Sequence, residues 1–387
     1  MKVALVHDWL TGMRGGERCL EVFCELFPDA DLYTLLHIPG TVSPRIDSMS
    51  IHTSFLQRLP GIRKHYRYYL PLMPWAISSF NLKGYDLVLS SSHCVAKGVR
   101  VSGGTRHICY CFTPMRYLWD QFEIYFSGEG RRIQAFFMRL FRPLLKNWDI
   151  RSNRGVDQFI AISRHIQQRI KKQYNRESTV VTPPVDTTFF KPVNVRREEY
   201  FLLVGALSPY KRTDLAVEAF NKLGYPLKII GAGPEFASLR RKASSNVEFL
   251  GWISDEEVCS HYARCRALVF PGEEDFGIVP LEAQAMGCPV IALGRGGALE
   301  TVIPDHGSWK PQTGIPEYLT KNPTGLFFYS PETDELCRAI ENFKIIESKF
   351  DPVVIRNHAM KFDRDHFKYR IQMYIQEYLK KSHAEKI

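Results

Sequence analysis

The sequence predicts an α/β protein built from two successive doubly wound units with mainly parallel sheets. Three observations carry this: short β-favouring runs recur along 387 residues, helix-length segments separate them, and a proline- and charge-rich stretch interrupts the rhythm midway. In the first half the strand-like runs are 2–6 (KVALV), 85–90 (YDLVLS), 106–111 (RHICYC), 157–162 (DQFIAI) and 179–182 (TVVT). The second half repeats the pattern at 200–205 (YFLLVG), 226–231 (PLKIIG), 247–250 (VEFL), 267–270 (ALVF) and 289–293 (PVIAL). Near 187–199 the chain reads as a linker, which sets the units at 1–190 and 191–362. Beyond it, Phe367, Ile371, Tyr374, Ile375 and Leu379 recur at helical spacing, so 363–387 is expected as a helix packing back on the first unit. Open sheets of this kind bind ligands beyond the carboxyl ends of their strands, so two such units are expected to face a cleft, with function in the βα loops.

Composition narrows the class. At 45% hydrophobic and 24% charged residues the chain can bury real cores, and no apolar run approaches the length that spans a bilayer. MKVALVHDWL reads as a strand rather than a secretory leader, so a cytoplasmic location is expected. Nine scattered cysteines form no zinc or disulfide pattern and should be mostly buried free thiols, with Cys109 and Cys111 on one face of a strand. The net charge of +10 lies wholly in the first half, where residues 1–190 hold 25 Lys+Arg against 15 Asp+Glu and 191–387 hold 26 against 26. Such asymmetry points to an anionic partner for that half: nucleic acid, anionic lipid or a phosphate-bearing substrate.

The most informative segment is FPGEEDFGIVPLEAQAMGCPVIAL, 270–293. A buried strand leads into a loop; Pro280 suits the first position of a short helix, with Val279 as its cap, and Gly287 then Pro289 suit its end. The amides of Gly277, Ile278 and Val279 then arrive at a helix N-terminus, a place that favours a diphosphate. Glu274 lies in the loop and Glu282 one turn inside the helix; without further context, both suit a solvated loop and a dipole-compensating first turn.

Taken whole, EDFGIVPLEAQAMGCPVIA resembles the signature of glycosyltransferase family 4, two glutamates separated by seven residues. The resemblance runs from MKVALVHDWLTGMRGGE through TPPVDTTFF and GALSPYKRTDLAVEAF to TGLFFYS, and CYCFTPMRYLWD is similar to the bacterial branch that builds O-antigen and exopolysaccharide, often with mannose. It implies a GT-B fold of two Rossmann-like domains, a nucleotide-sugar donor, and retaining transfer without a metal or other cofactor. It further implies Glu274 on donor-sugar hydroxyls, the Phe276–Val279 turn with Gly277 and Ile278 on the phosphates, and Glu282 on the ribose. Lys211 stands where the family neutralises the diphosphate, followed by Arg212, and a fixed cation is most useful as the leaving group gains charge. Gly15 and Gly16 in TGMRGGERC would face donor and acceptor, with Glu17 opening a helix. Trp252 and Ile253 are the expected surroundings of the base.

Two positions depart from the family. Ala206 stands where an arginine is common, with Arg212 as the substitute cation; Phe112 stands where a histidine is common, with His93 or His107 as its replacement, His93 being the expected catalytic histidine. Gly231-Ala232-Gly233 lacks the third glycine of a dinucleotide fingerprint, holding Phe236 there, and Asp29-Ala30-Asp31 reads as a turn rather than a metal site.

The basic half has two cation-flanked apolar stretches. In 131–146, Ile133, Phe136, Phe137, Leu140 and Leu144 share a helical face bordered by Arg131, Arg132, Arg139, Arg142 and Lys146, with a break or kink expected at Pro143; 62–75 mixes cations with aromatics. The expected activity is transfer of a hexose, mannose from GDP-mannose, to a lipid-linked saccharide or polysaccharide acceptor at an anionic membrane surface, on the inner face of the plasma membrane. Alternatives are a UDP- or ADP-linked donor, or a degenerate nucleotide-sugar-binding subunit. No recognition module for specific nucleic acid is present.

Overall fold

The first strand, β1 (Val3–His7), has the sequence VALVH and every residue is buried, as expected where helices cover both faces of a parallel sheet. The computed structural model describes residues 1–116, 118–119, 132–305 and 322–384, with backbone alone for 132–137 and 382–384. Two units divide the chain, Met1–Pro183 with Phe367–Ile387, and Pro184–His366.

In unit 1, β1 is joined by β2 (Asp31–Thr34), β3 (Ser50–Thr53), β4 (Leu87–Ser92), β5 (Arg106–Cys111), β6 (Gln158–Ala161) and β7 (Ser178–Val180), in the order β3-β2-β1-β4-β5-β6-β7. In unit 2 β8 (Phe201–Val204), β9 (Leu227–Ile230), β10 (Val247–Gly251), β11 (Leu268–Phe270), β12 (Val290–Leu293) and β13 (Gly325–Phe328) take the order β10-β9-β8-β11-β12-β13. Every pairing is parallel. Each sheet starts in its middle, grows to one side, then reverses; the reversals fall between β1 and β4 and between β8 and β11, where doubly wound sheets bind ligands.

The predicted fold class is thus the observed one, and every strand expected from the sequence is present. Three strands were not expected: β2, β3 and β13. β3 is an edge strand, SIHT, largely exposed, so it joins by backbone pairing to β2 and carries no apolar run. The division between units falls at 183/184 and 366/367 rather than at 190/191 and 362/363. Its cause is local bonding within unit 2: Val185 N–H donates to the Phe362 carbonyl at 2.9 Å, and the Arg356 guanidinium donates to the carbonyls of Phe190 at 3.0 Å and Thr187 at 3.2 Å.

Helix α1 (Gly15–Leu26) buries Cys19, Leu20, Val22, Phe23 and Cys24. Among the described elements α2 (Arg132–Ser152) corrects one expectation, a break at Pro143. It runs through Pro143 without ending, and its buried residues include Met138, Leu145 and Asp149, whereas Leu140 and Leu144 are 64% and 73% exposed. The side chains of Arg131, Arg132, Ile133, Phe136 and Phe137 lie outside the described residues. None of the nine cysteines forms a disulfide, and all are buried except the half-buried Cys259. In unit 2, α3 (Thr213–Leu223), α4 (Asp255–Arg264) and α5 (Ile278–Ala285) follow β8, β10 and β11. The last helix, α6 (Arg364–Ala384), buries Phe367, Ile371 and Ile375, and the Phe367 ring lies 5.8 Å from Phe23 and 5.6 Å from Tyr110. No described helix is long and apolar enough to cross a membrane.

Candidate active site

At the reversal in unit 2, the ends of β8 and β11 open a pocket lined by Gly205, Ala206, Lys211, Pro271, Gly272 and Glu274 above the last residues of both strands. The Lys211 ammonium and the Glu274 carboxylate form an ion pair within it, and their side chains are only 17% and 14% exposed. Gly272 makes the meeting geometrically accessible. A Cβ there would sit 2.7 Å from the Tyr210 carbonyl oxygen and 2.9 Å from Lys211 Cα, so only glycine lets the two loops press together. Behind Glu274, its carbonyl accepts from Gly297 N–H at 2.7 Å, tying the loop to the turn after β12.

Helix α5 starts two residues earlier than expected. Gly277, at φ 103°, is the N-cap, and Pro280 is the third helical residue rather than the first. Pro280 is tolerated because the first four helical N–H groups have no partner within the helix. The Gly277–Val279 amides therefore do stand at a helix N-terminus. At the other end, Arg356 donates to the Ala285 carbonyl and Arg197 to the Gly287 carbonyl, both at 2.6 Å. Cations there offset the negative pole, an arrangement not read from the sequence.

Other predicted residues lie apart from the pocket lining. Glu282 is half-buried and accepts from the Tyr262 hydroxyl at 3.4 Å, and burial pushes the Tyr262 phenol well up. Arg212 has a left-handed backbone, φ 54°, and its guanidinium pairs with Asp214 at 3.1 Å. The Phe276 ring is 3% exposed and packs 6.0 Å from Phe362. Trp252 is 82% exposed immediately after Gly251, and Ile253 half-buried.

Unit 1 holds a second polar group at its own reversal. Gly15 and Gly16 open α1, and a Cβ on Gly16 would lie 3.5 Å from the Phe112 ring and 3.6 Å from His7. His93 follows β4, its Nδ1 3.0 Å from a buried Asp8 oxygen. Glu17 is buried; burial raises its carboxyl, but the neighbouring His7 holds it below the usual range. His107 is no counterpart of His93. It is wholly buried in β5, bonded to Ser90 Oγ at 2.8 Å and the Gly155 carbonyl at 2.9 Å, and burial lowers it to about 4. Sequence reasoning missed Asp8 and His7; the available signal was a polar pair closing an otherwise apolar strand. Asp31 begins β2 and accepts from Tyr85 at 2.5 Å and His52 at 3.0 Å, and no cluster of three metal-binding side chains occurs among the described residues.

Two doubly wound units of this order constitute the GT-B architecture. The same fold is seen in Anabaena HepE in complex with UDP, at TM-score 0.68 and 17% identity over 97% of this chain and 100% of that one. A model for glycosyltransferase family 4 matches residues 15–189 and one for group 1 glycosyl transferases matches 185–357; the chain belongs to glycosyltransferase family 4. It is 32% identical to the D-rhamnosyltransferase WbpZ of Pseudomonas aeruginosa over 41% of this chain and 45% of that protein. It is 30% identical to the GDP-mannose-dependent α-(1-6)-phosphatidylinositol monomannoside mannosyltransferase of Mycobacterium tuberculosis over 46% of this chain and 53% of that protein. The chain thus spans about half the length of the curated relatives it matches.

Proposed function

We propose that this protein is a retaining hexosyltransferase that moves mannose from GDP-mannose to a lipid-linked saccharide. The observation that carries the reading is the Lys211–Glu274 pair in the pocket at the β8/β11 reversal. On donor binding, Lys211 turns from Glu274 to the diphosphate, and Glu274 is released to accept from hydroxyls of the sugar. The amides of Gly277, Ile278 and Val279 add a helix pole to the same anion, Glu282 serves the ribose, and Gly15 and Gly16 admit substrate close to the backbone of unit 1. As the glycosidic bond breaks, charge grows on the leaving diphosphate, so a fixed ammonium stabilises the transition state more than the ground state.

The mannose and GDP assignments are supported by the GDP-mannose dependence of the mycobacterial relative, and a lipid acceptor by its phosphatidylinositol mannoside. A UDP-linked donor is the second reading, favoured by the UDP complex of the Anabaena protein. A thermal-shift panel of GDP-, UDP- and ADP-sugars decides. A donor at about 100 times its Kd stabilises by about 2.7 kcal/mol. A shift with none of the three overturns the reading, and binding without transfer or donor hydrolysis leaves only a sugar-nucleotide-binding subunit.

Attachment to an anionic membrane belongs to the same proposal. Tyr68, Leu72 and Trp75 are 62%, 39% and 69% exposed in one stretch with the exposed cations Arg63, Lys64 and Arg67. Each basic residue near an anionic surface contributes about 1 kcal/mol. Cosedimentation with phosphatidylglycerol vesicles, lost in high salt and absent with phosphatidylcholine alone, is expected; no binding to either rejects it.

A further inference from the structure

The reversal of the unit 1 sheet lies between β1 and β4, and the residues leaving those strands meet there: Asp8 directly after β1 and His93 directly after β4. Asp8 is wholly buried, and both its oxygens are engaged. Oδ2 accepts from the backbone N–H groups of His93 at 2.7 Å and Cys94 at 2.9 Å and lies 3.0 Å from His93 Nδ1; Oδ1 accepts from those of Val95 and Ala96, each at 2.7 Å. Burial alone would raise this carboxyl, but electrostatic attraction and the ring and backbone donors of His93, with a smaller attraction from His7, bring it down to about 2.

An ionised carboxylate can only accept, so the nitrogen facing it, His93 Nδ1, carries the proton. In the neutral ring the lone pair is then on Nε2. The ring is held in place as well. Trp9 stands edge-on to it with centroids 4.5 Å apart at 89°, and His7 and Phe112 each lie 6.4 Å away. Its side chain nevertheless keeps 31% exposure. His7 is the contrasting case: wholly buried, with Nδ1 2.7 Å from Ser91 Oγ and Nε2 3.7 Å from Glu17, it is an internal group.

We propose that Asp8 is a positioning residue that fixes His93 as an Nε2 acceptor for a hydroxyl of the saccharide substrate, a role for which the neighbouring Phe112 has no polar atom. The identity of the ligand rests on the transferase reading above; the tautomer does not.

Labelling the histidines with nitrogen-15 and recording long-range proton–nitrogen correlations reads each ring's tautomer, with His93 assigned as the signal lost in His93→Gln. A protonated Nδ1 and bare Nε2 are expected; a bare Nδ1 overturns the proposal. GDP-mannose, GDP and methyl α-mannoside are then added separately. The Nε2 signal should move with a sugar-bearing probe and not with GDP, a response to GDP-mannose alone placing the hydroxyl on the donor and one to the mannoside placing it on the acceptor. No response to either, in protein that GDP-mannose stabilises thermally, overturns the role. His93→Ala should lose about tenfold in kcat/KM, the equivalent of one hydrogen bond, and regain it with added imidazole. Asp8→Asn, where circular dichroism shows it folded, should show the same loss together with a mixed tautomer; if it does not fold, His93→Ala with imidazole decides, and full activity there refutes the role. Wild-type protein that binds no nucleotide sugar overturns the transferase reading and with it the hydroxyl, while the tautomer still stands or falls on the spectrum.

Discussion

Replacing Lys211 by Met tests the pocket through two independent energies. The ammonium is shielded and paired with Glu274, both side chains more than four-fifths covered. Removing one member of a fully buried pair costs about 3–5 kcal/mol; with water reaching both groups here, about 1–2 kcal/mol is expected. For a domain of this size that lowers the melting temperature by about 3–6 °C. Glu274→Gln strands the lysine and should cost a similar amount, whereas the double substitution leaves no unpaired charge, so its loss should fall well short of the sum. The second energy is read with donor present. A charge-assisted contact to the diphosphate contributes about 1.5–3 kcal/mol, or about 10- to 150-fold in Kd. A donor concentration giving about 2.7 kcal/mol of stabilisation in the wild type should then give only about 0.3–1.4 kcal/mol in Lys211→Met. Differential scanning calorimetry with and without GDP-mannose measures both. Strict additivity of the two substitutions refutes the coupling, and an undiminished ligand shift in Lys211→Met removes the lysine from the phosphate site.

Two further outcomes follow from the geometry. Burial holds His107 and His358 down to about 4, so each is neutral in the fold, while in the unfolded chain each takes a proton below about 6.5. Stability is therefore complete above that value and lost as the pH falls towards 4, by about 3 kcal/mol per histidine; denaturant melts that stay level across this window refute it. Trp252, almost wholly exposed beside the C-terminal end of β10, should have its fluorescence quenched by GDP, and Trp252→Ala should weaken GDP about fivefold or more if a base stacks on it; unchanged affinity by calorimetry removes it from the base site.

The strands were legible because parallel strands are buried on both faces, so β1 and β12 contain unbroken apolar runs, VALV and VIAL. β3 was not, since an edge strand needs only its backbone. Helix α2 shows the limit of periodicity: Leu140 and Leu144 satisfy the same spacing rule as Met138 and Leu145, and only packing decides which face is covered. In the pocket, Lys211 and Glu274 were both named from the family pattern, but as holders of different parts of a ligand. That they pair with one another follows from a close approach of backbones at Gly272, which no local pattern announces.

Chain reversal also explains why Asp8 escaped notice. A doubly wound sheet places the residue after its first strand beside the residue after its fourth, here 85 positions along the chain. A cue for such a site in the string is a polar residue closing an apolar strand, and both ends qualify, HD after VALV and SSSH after LVL. The two reversals then differ in what their carboxylates can do. Glu274 is partly open and held by a flexible lysine, so a ligand can displace either partner. Asp8 is sealed beneath backbone N–H donors and can be displaced by nothing; what that end of unit 1 can offer a substrate is the outer nitrogen of the histidine it holds.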